Sequence, residues 1–101
     1  MVNEVHLIGR VGGAVEVKTS NDKIVAKFSL ATGYKDSTDW HNVVCFGKTA
    51  EFAKEYISKG KLIYLNGRIK YGSYVKDDVK HYTVDIIANS FQLLSPKDKE
   101  A

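Results

Sequence analysis

A single cysteine and the lack of any long apolar run set the first limits on this chain. Cys45 has no partner for an intramolecular disulfide, and one cysteine makes no zinc framework. Free cysteine is among the most buried residue types, so Cys45 reads as a small core residue. Apolar runs of only a few residues exclude a membrane-spanning helix, which needs about twenty. His6, His41 and His81 stand alone in three separate segments, and neither a Cys/His cluster nor a Gly-x-Ser-x-Gly elbow occurs. No catalytic residue, metal or cofactor is therefore expected. Charge of one sign is scarce too: 15 Lys and Arg against 12 Asp and Glu leave +3, which permits an acidic partner without demanding one.

The 101 residues suit one domain, placed here at 1–95, followed by a short polar tail at 96–101. Met1 leads straight into the alternating stretch Val2 to Val11, with no basic or apolar leader before it, so a cytoplasm-like compartment is expected.

Alternation of apolar and polar residues organises most of the chain into strands. Residues 3–18 read as one strand bent at Gly9, Gly12 and Gly13. The Gly9-Arg10-Val11-Gly12-Gly13 run lacks the Lys-Ser/Thr ending of a phosphate loop, and no helix follows it. After a turn at Thr19 to Lys23, a second strand over 24–32 puts Ile24, Ala26, Phe28 and Leu30 on one face. A third, over 39–46, puts Trp40, Asn42, Val44 and Phe46 on one face and His41, Val43 and Cys45 on the other. The period then changes: Phe52 with Tyr56 and Ala53 with Ile57 predict a short helix over 49–59, with Thr49 as N-cap and Lys59-Gly60 at its end. Strands over 61–71 and 79–88 follow, joined by a polar loop from Gly72 to Asp78. Five antiparallel strands on so short a chain must close to protect their edges, which predicts an all-β, five-stranded Greek-key barrel of the OB type with one short helix between strands 3 and 4.

The placement of aromatics carries the functional signal. Trp40 and Phe46 are six residues apart in one strand and so project from the same face, with Asn42 between them. A bland reading makes them core, yet the opposite face, with Val43 and Cys45, is the one composed of small buriable side chains. Tyr34, Tyr71 and Tyr74 fall in connecting segments, interleaved with Lys35, Lys48, Arg68, Lys70 and Lys76. Aromatic faces beside cations suit single-stranded nucleic acid, because every base offers a π-face and every nucleotide a phosphate.

The run Trp40-His41-Asn42-Val43-Val44-Cys45-Phe46-Gly47-Lys48-Thr49-Ala50 resembles the Trp-His-x-Val-x-x-Phe-Gly-Lys-x-Ala signature of bacterial single-stranded DNA-binding proteins. Asn3 to Val11, Phe28 to Thr32, Tyr56 to Gly60 and Gly67 to Ile69 align with other parts of that family in order, so the resemblance covers residues 3–94. It implies an OB fold that coats unpaired DNA in replication, recombination and repair, assembled as a homotetramer or dimer. Trp40, Phe46 and Tyr74 fall on the family's stacking positions, and Lys48, Lys59 and Lys70 on positions that are commonly basic. Asn42 stands where arginine is frequent. His41 matches the signature histidine near a subunit contact, and His6 and Tyr64 are placed at that contact with it. Family members typically continue into a flexible tail with an acidic tip, whereas here Lys97, Asp98, Lys99 and Glu100 balance to zero. A DNA-binding core and a tail-less member both fit that ending, and tail-mediated protein partners are not expected of this segment. Two alternatives keep the fold and alter its use, one a dimeric primosomal replication protein and the other an OB module whose face binds protein or oligosaccharide.

Overall fold

A computed structural model describes residues 1–34 and 36–95, with the Tyr34 side chain outside that description. The predicted tail at 96–101 also lies outside the described residues. Strands β1 (Val5–Val11), β2 (Glu16–Ser20), β3 (Lys23–Tyr34), β4 (Ser37–Phe46), β5 (Leu62–Lys76) and β6 (Val79–Leu93) form one sheet, with helix α1 (Lys48–Tyr56) between β4 and β5.

The sheet order is β1-β5-β6-β4-β3-β2, and a further β1–β3 pairing at Arg10↔Ala31 and Val11↔Leu30 closes the ring. Closure leaves an interior that must be filled by alternate side chains of every strand. Val11, Phe28, Leu30, Val43, Cys45, Ile63, Leu65 and Ile86 fill it, as the strand parities require. The helix plugs one end: Ala50, Ala53 and Ile57 are buried, and the Phe52 ring stacks on Phe91 at 6.0 Å, which in turn meets Phe28 at 5.8 Å.

The five-stranded barrel expectation holds in architecture, with three corrections of detail. The first expected strand is two, β1 and β2, because the chain leaves the ladder between Gly12 and Val15. The strands are not all antiparallel, since β4 and β6 run parallel through Asn42↔Asp85, Val43↔Ile86 and Val44↔Ile87. The supposed loop at 72–78 is mostly strand: β5 and β6 pair out to Lys76↔Val79, and only Asp77 and Asp78 turn, both at positive φ. Two consecutive residues with positive φ give the mirror-image turn whose twist matches a hairpin; Asn21 and Asp22 make the same device between β2 and β3.

The helix starts one residue earlier and ends three earlier than its periodicity suggests, and its caps differ. Gly47, at φ 60, is the N-cap, while the Thr49 hydroxyl donates to the Phe46 carbonyl at 2.7 Å instead of capping an N–H. Ile57 is the C-cap, and Gly60, at φ 89, belongs to the next turn. The Gly60 N–H donates to the Val11 carbonyl at 2.7 Å, and the Arg10 guanidinium donates to the Gly60 carbonyl at 3.0 Å, tying the turn to β1.

Candidate nucleic-acid interface

The β4 parity decides which side of the barrel wall is core. Val43 is 1% and Cys45 0% exposed, whereas Trp40 and Phe46, on the other side, are 60% and 53% exposed. Burial therefore goes to the small side chains, and the two large rings stand outside the barrel. Trp40 is seated at the mouth of β1: a β-carbon on Gly12 would overlap its indole, so only glycine lets the ring lie there. Six residues of strand separate the two rings along β4, about 20 Å at the usual rise.

Cross-strand register extends this outer face over three more strands. Phe46 is opposite Val25, Val44 lies between Lys27 on β3 and Ile87 on β6, and Ile87 is opposite Arg68 on β5. One row along, Ser29, Asn42, Asp85 and Lys70 line up across β3, β4, β6 and β5. The result is an open groove of about 420 Å³ whose apolar floor is Val25, Val44, Phe46 and Ile87 and whose charged flanks are Lys27, Arg68, Lys70 and Asp85. A second depression lies beneath Phe46, bounded by Lys23 and Lys48, with Asp22 and Glu51 beside them.

The β5–β6 hairpin carries the face away from the barrel as an arm. Tyr74 has the same parity as Lys70 and Lys76 and stacks on its register partner His81, ring centroids 5.0 Å apart and planes within 16°. Tyr71 has the other parity. It is opposite Val84, exposed on the far side of the arm, where Tyr82 and Val75 are exposed as well.

Of the sequence-predicted residues, the structure thus brings Trp40, Asn42, Phe46, Arg68, Lys70, Tyr74 and Lys76 onto one face, with Lys48 at its Phe46 end. Lys59 lines a separate depression with Lys54 and Ile57. Lys35 and the side chain of Tyr34 lie outside the described residues. Sequence reasoning missed Lys27, Asp85 and His81. Lys27 was accessible to it, since it alternates with Ala26 and Phe28, which are buried. Asp85 was not, because its neighbour Asn42 comes from a strand distant in sequence, and its pairing with Lys70 depends on a hairpin that extends through the supposed loop at 72–78.

The Single-strand binding protein family matches residues 2–94, which takes in the whole of this face. The chain belongs to that family. It is 36% identical over 104 residues to a single-stranded DNA-binding protein of Xanthomonas campestris pv. campestris, covering 92% of this chain and 60% of the relative. Identity to the single-stranded DNA-binding protein of Neisseria meningitidis serogroup A is also 36%, over 99% of this chain and 64% of that protein. Single-stranded DNA-binding protein 1 of Streptococcus pyogenes serotype M6 is 38% identical over the full chain and 83% of its own length. The chain spans less than two thirds of the first two relatives.

In this member of the single-strand binding protein family a second outer face lies on β1 and β5. The His6 ring stacks parallel to Tyr64 at 6.2 Å, and its Nδ1 is within hydrogen-bond distance of the Tyr64 hydroxyl at 2.8 Å and the Asn66 amide nitrogen at 3.1 Å. His41, half-buried at the end of the core face, is hydrogen-bonded through Nε2 to the Thr32 hydroxyl at 2.8 Å. Among the described residues no group of three or more His, Cys, Asp or Glu could hold a metal, and no helix is long and apolar enough to cross a membrane.

Proposed function

We propose that this chain binds single-stranded DNA along the outer face that runs from Phe46 past Asn42 and Trp40 onto Tyr74 of the arm, and that it catalyses no reaction. The observation that carries the reading is the inversion on β4, where the wall's two largest aromatic rings face solvent while its small residues fill the core. Rings exposed in this way on a rigid sheet give bases a dry surface at no conformational cost, worth about 1–3 kcal/mol per stacked base. Lys27, Arg68 and Lys70 flank the groove at the height where the sugar-phosphate chain would run, and Lys48 guards its Phe46 end. Stacking and phosphate contacts ignore base identity, so the bulk of the affinity is sequence-tolerant. The cellular role that follows is protection of unpaired DNA in replication, recombination and repair, in the cytoplasm of a bacterial or phage-infected cell.

Assembly into a homo-oligomer, a tetramer or dimer, belongs to the same proposal. β1 pairs with β5 along its length but with β3 only at Arg10 and Val11, so most of one edge is open, and Ile8 beside the His6–Tyr64 stack is 59% exposed. An open edge flanked by an exposed apolar side chain is a surface that a second copy covers. His6 and Tyr64 sit on it, with His41 contributing from the end of the core.

The test is quenching of Trp40 emission by oligo-dT at low salt. Saturable quenching by a single strand, and little by the matching duplex, is the expected result. Folded protein whose emission does not respond to oligo-dT would overturn the proposal. Light scattering reads the assembly, with Ile8→Asp expected to lower the mass.

A further inference from the structure

The arm is a two-stranded ribbon, and what holds its root decides where Tyr74 points. On the β6 side the last supporting pair is Asn42↔Asp85 with β4, and on the β5 side the β1 ladder ends at Val5↔Gly67. Outward of these pairs, among the described residues, β5 and β6 have only each other as strand partners. A two-stranded hairpin on its own is marginal in water. The root is also where β5 is bent: its register against β6 slips between Asn66 and Gly67, and an irregularity of that kind turns a strand and adds twist.

Asn3 supplies a support beyond the end of the β1 ladder. Its side-chain Oδ1 accepts from the Ile69 N–H at 3.0 Å, and its Nδ2 donates to the Ile69 carbonyl at 2.9 Å. The β1–β5 register, continued two residues past Val5↔Gly67, puts Asn3 opposite Ile69. A side-chain amide carries the donor and acceptor of a peptide group, so Asn3 stands in for strand on the open edge of β5. Ile69 is in register with Ile86, Ile86 with Val43 and Val43 with Phe28, which ties this clamp to the buried wall of the barrel. The adjoining row is Lys70, Asp85, Asn42 and Ser29, on the outer face.

We propose that Asn3 is a positioning residue for DNA binding: its clamp on Ile69 fixes the angle at which the arm leaves the barrel and so keeps Tyr74 in line with Trp40 and Phe46. Tyr74 is five residues beyond Ile69, about 17 Å at the usual rise, and a small rotation at the root is magnified over that length. Asn3 is exposed at the edge of the sheet and brings neither ring nor cation to the face, so its influence passes through the arm. With the clamp open the ribbon samples orientations in which Tyr74 misses the strand, and apparent affinity falls with the fraction still aligned. A strand held only between Phe46 and Trp40 does not feel the change. The inference rests on the DNA-binding reading above and adds to it a residue, remote from the rings, that sets how far along the strand the protein grips.

The experiment is a Trp40 titration with oligo-dT of stepped length, from about four nucleotides upward, in the full chain and in Asn3→Ala, Tyr74→Ala and the double variant. Tyr74→Ala marks the lengths that reach the arm. At those lengths Asn3→Ala is expected to weaken binding by up to about tenfold, the scale that one or two net hydrogen bonds can supply. At the shorter lengths it is expected to change nothing, and in the Tyr74→Ala background its effect should shrink, because the two act through one contact. The unfolding midpoint and the mass from light scattering should stay as in the wild type. Asn3→Ser, too short to reach both partners, serves should Asn3→Ala fail to fold. An equal loss at every length, a full multiplicative loss in the double variant, or a lower mass would place Asn3 in the barrel or the assembly and overturn the inference with DNA binding intact. So would a Tyr74→Ala variant that binds every length as the wild type does. If no oligo-dT quenches the folded wild-type protein, it is the DNA-binding proposal itself that fails.

Discussion

The Trp40 indole lies against Gly12, at the point where the chain leaves β1 and where any β-carbon would collide with the ring. The Gly12 N–H donates to the Ser29 carbonyl at 2.8 Å, so the glycine cannot simply move aside. Gly12→Ala is therefore expected to tilt the indole while leaving the barrel folded. A shifted Trp40 emission maximum and severalfold weaker oligo-dT binding, with a far-ultraviolet dichroism spectrum unchanged, would be the result.

Phe28 and Phe46 are the same side chain on opposite sides of the wall, 6% and 53% exposed. Phe28→Ala empties core volume and is expected to cost about 3–5 kcal/mol of stability. Phe46→Ala and Trp40→Ala are each expected to lose about 1–3 kcal/mol of DNA affinity with little change in the unfolding midpoint. Denaturant unfolding set beside fluorescence titration separates the two effects. Unfolding of the Phe46 and Trp40 variants would show those rings to be structural.

Lys27 and Lys70 flank the groove from opposite sides. If each neutralises one phosphate, Lys27→Gln and Lys70→Gln should each flatten the plot of log affinity against log salt by about 0.7, the single-strand value per contact. Lys59→Gln, in a separate depression, tests whether the strand reaches that far: an unchanged slope confines the path to the groove.

Burial pushes the Cys45 thiol up from its ordinary 9.0 to about 12. The native protein is thus expected to resist alkylation at pH 8 and to react once unfolded. The folded state holds the thiol neutral, so above pH 9 the unfolded chain ionises first and binds fewer protons. Stability should then fall with rising pH between 9 and about 12, by up to about 1.4 kcal/mol per pH unit. Cys45→Ala, compared in the same titration of unfolding midpoints, should lack that component.

The inner wall was legible in the sequence wherever one face was apolar. Ala26, Phe28 and Leu30, and Val43 with Cys45, declare their side by alternation alone, and that alternation also exposed Trp40 and Phe46. The arm was not legible in the same way. From Gly72 to Lys76 every residue is exposed, so burial imposes no contrast between the two faces, and the tip turns on two aspartates without a glycine. The start of the helix misled for a local reason: the Thr49 hydroxyl turned back to Phe46, and Gly47, through its positive φ, took the capping position. Asp85 and its neighbours depend on a parallel β4–β6 register that joins residues some forty positions apart, a relationship no local pattern encodes.

The same alternation that seals the barrel gives the arm two unlike sides. Beyond Ile69 and Ile86 there is no interior left to face, so Tyr71 and Val84 inherit the inward direction with nothing above them, and Tyr74 and His81 inherit the outward one. The arm is in effect a spatula whose working side is set by counting residues from the barrel. One residue added between Gly72 and Ser73 would roll Tyr74 onto the back, while one added at the Asp77–Asp78 tip would leave it in place. Changes of length near the root of the arm should accordingly be tolerated in pairs and not singly.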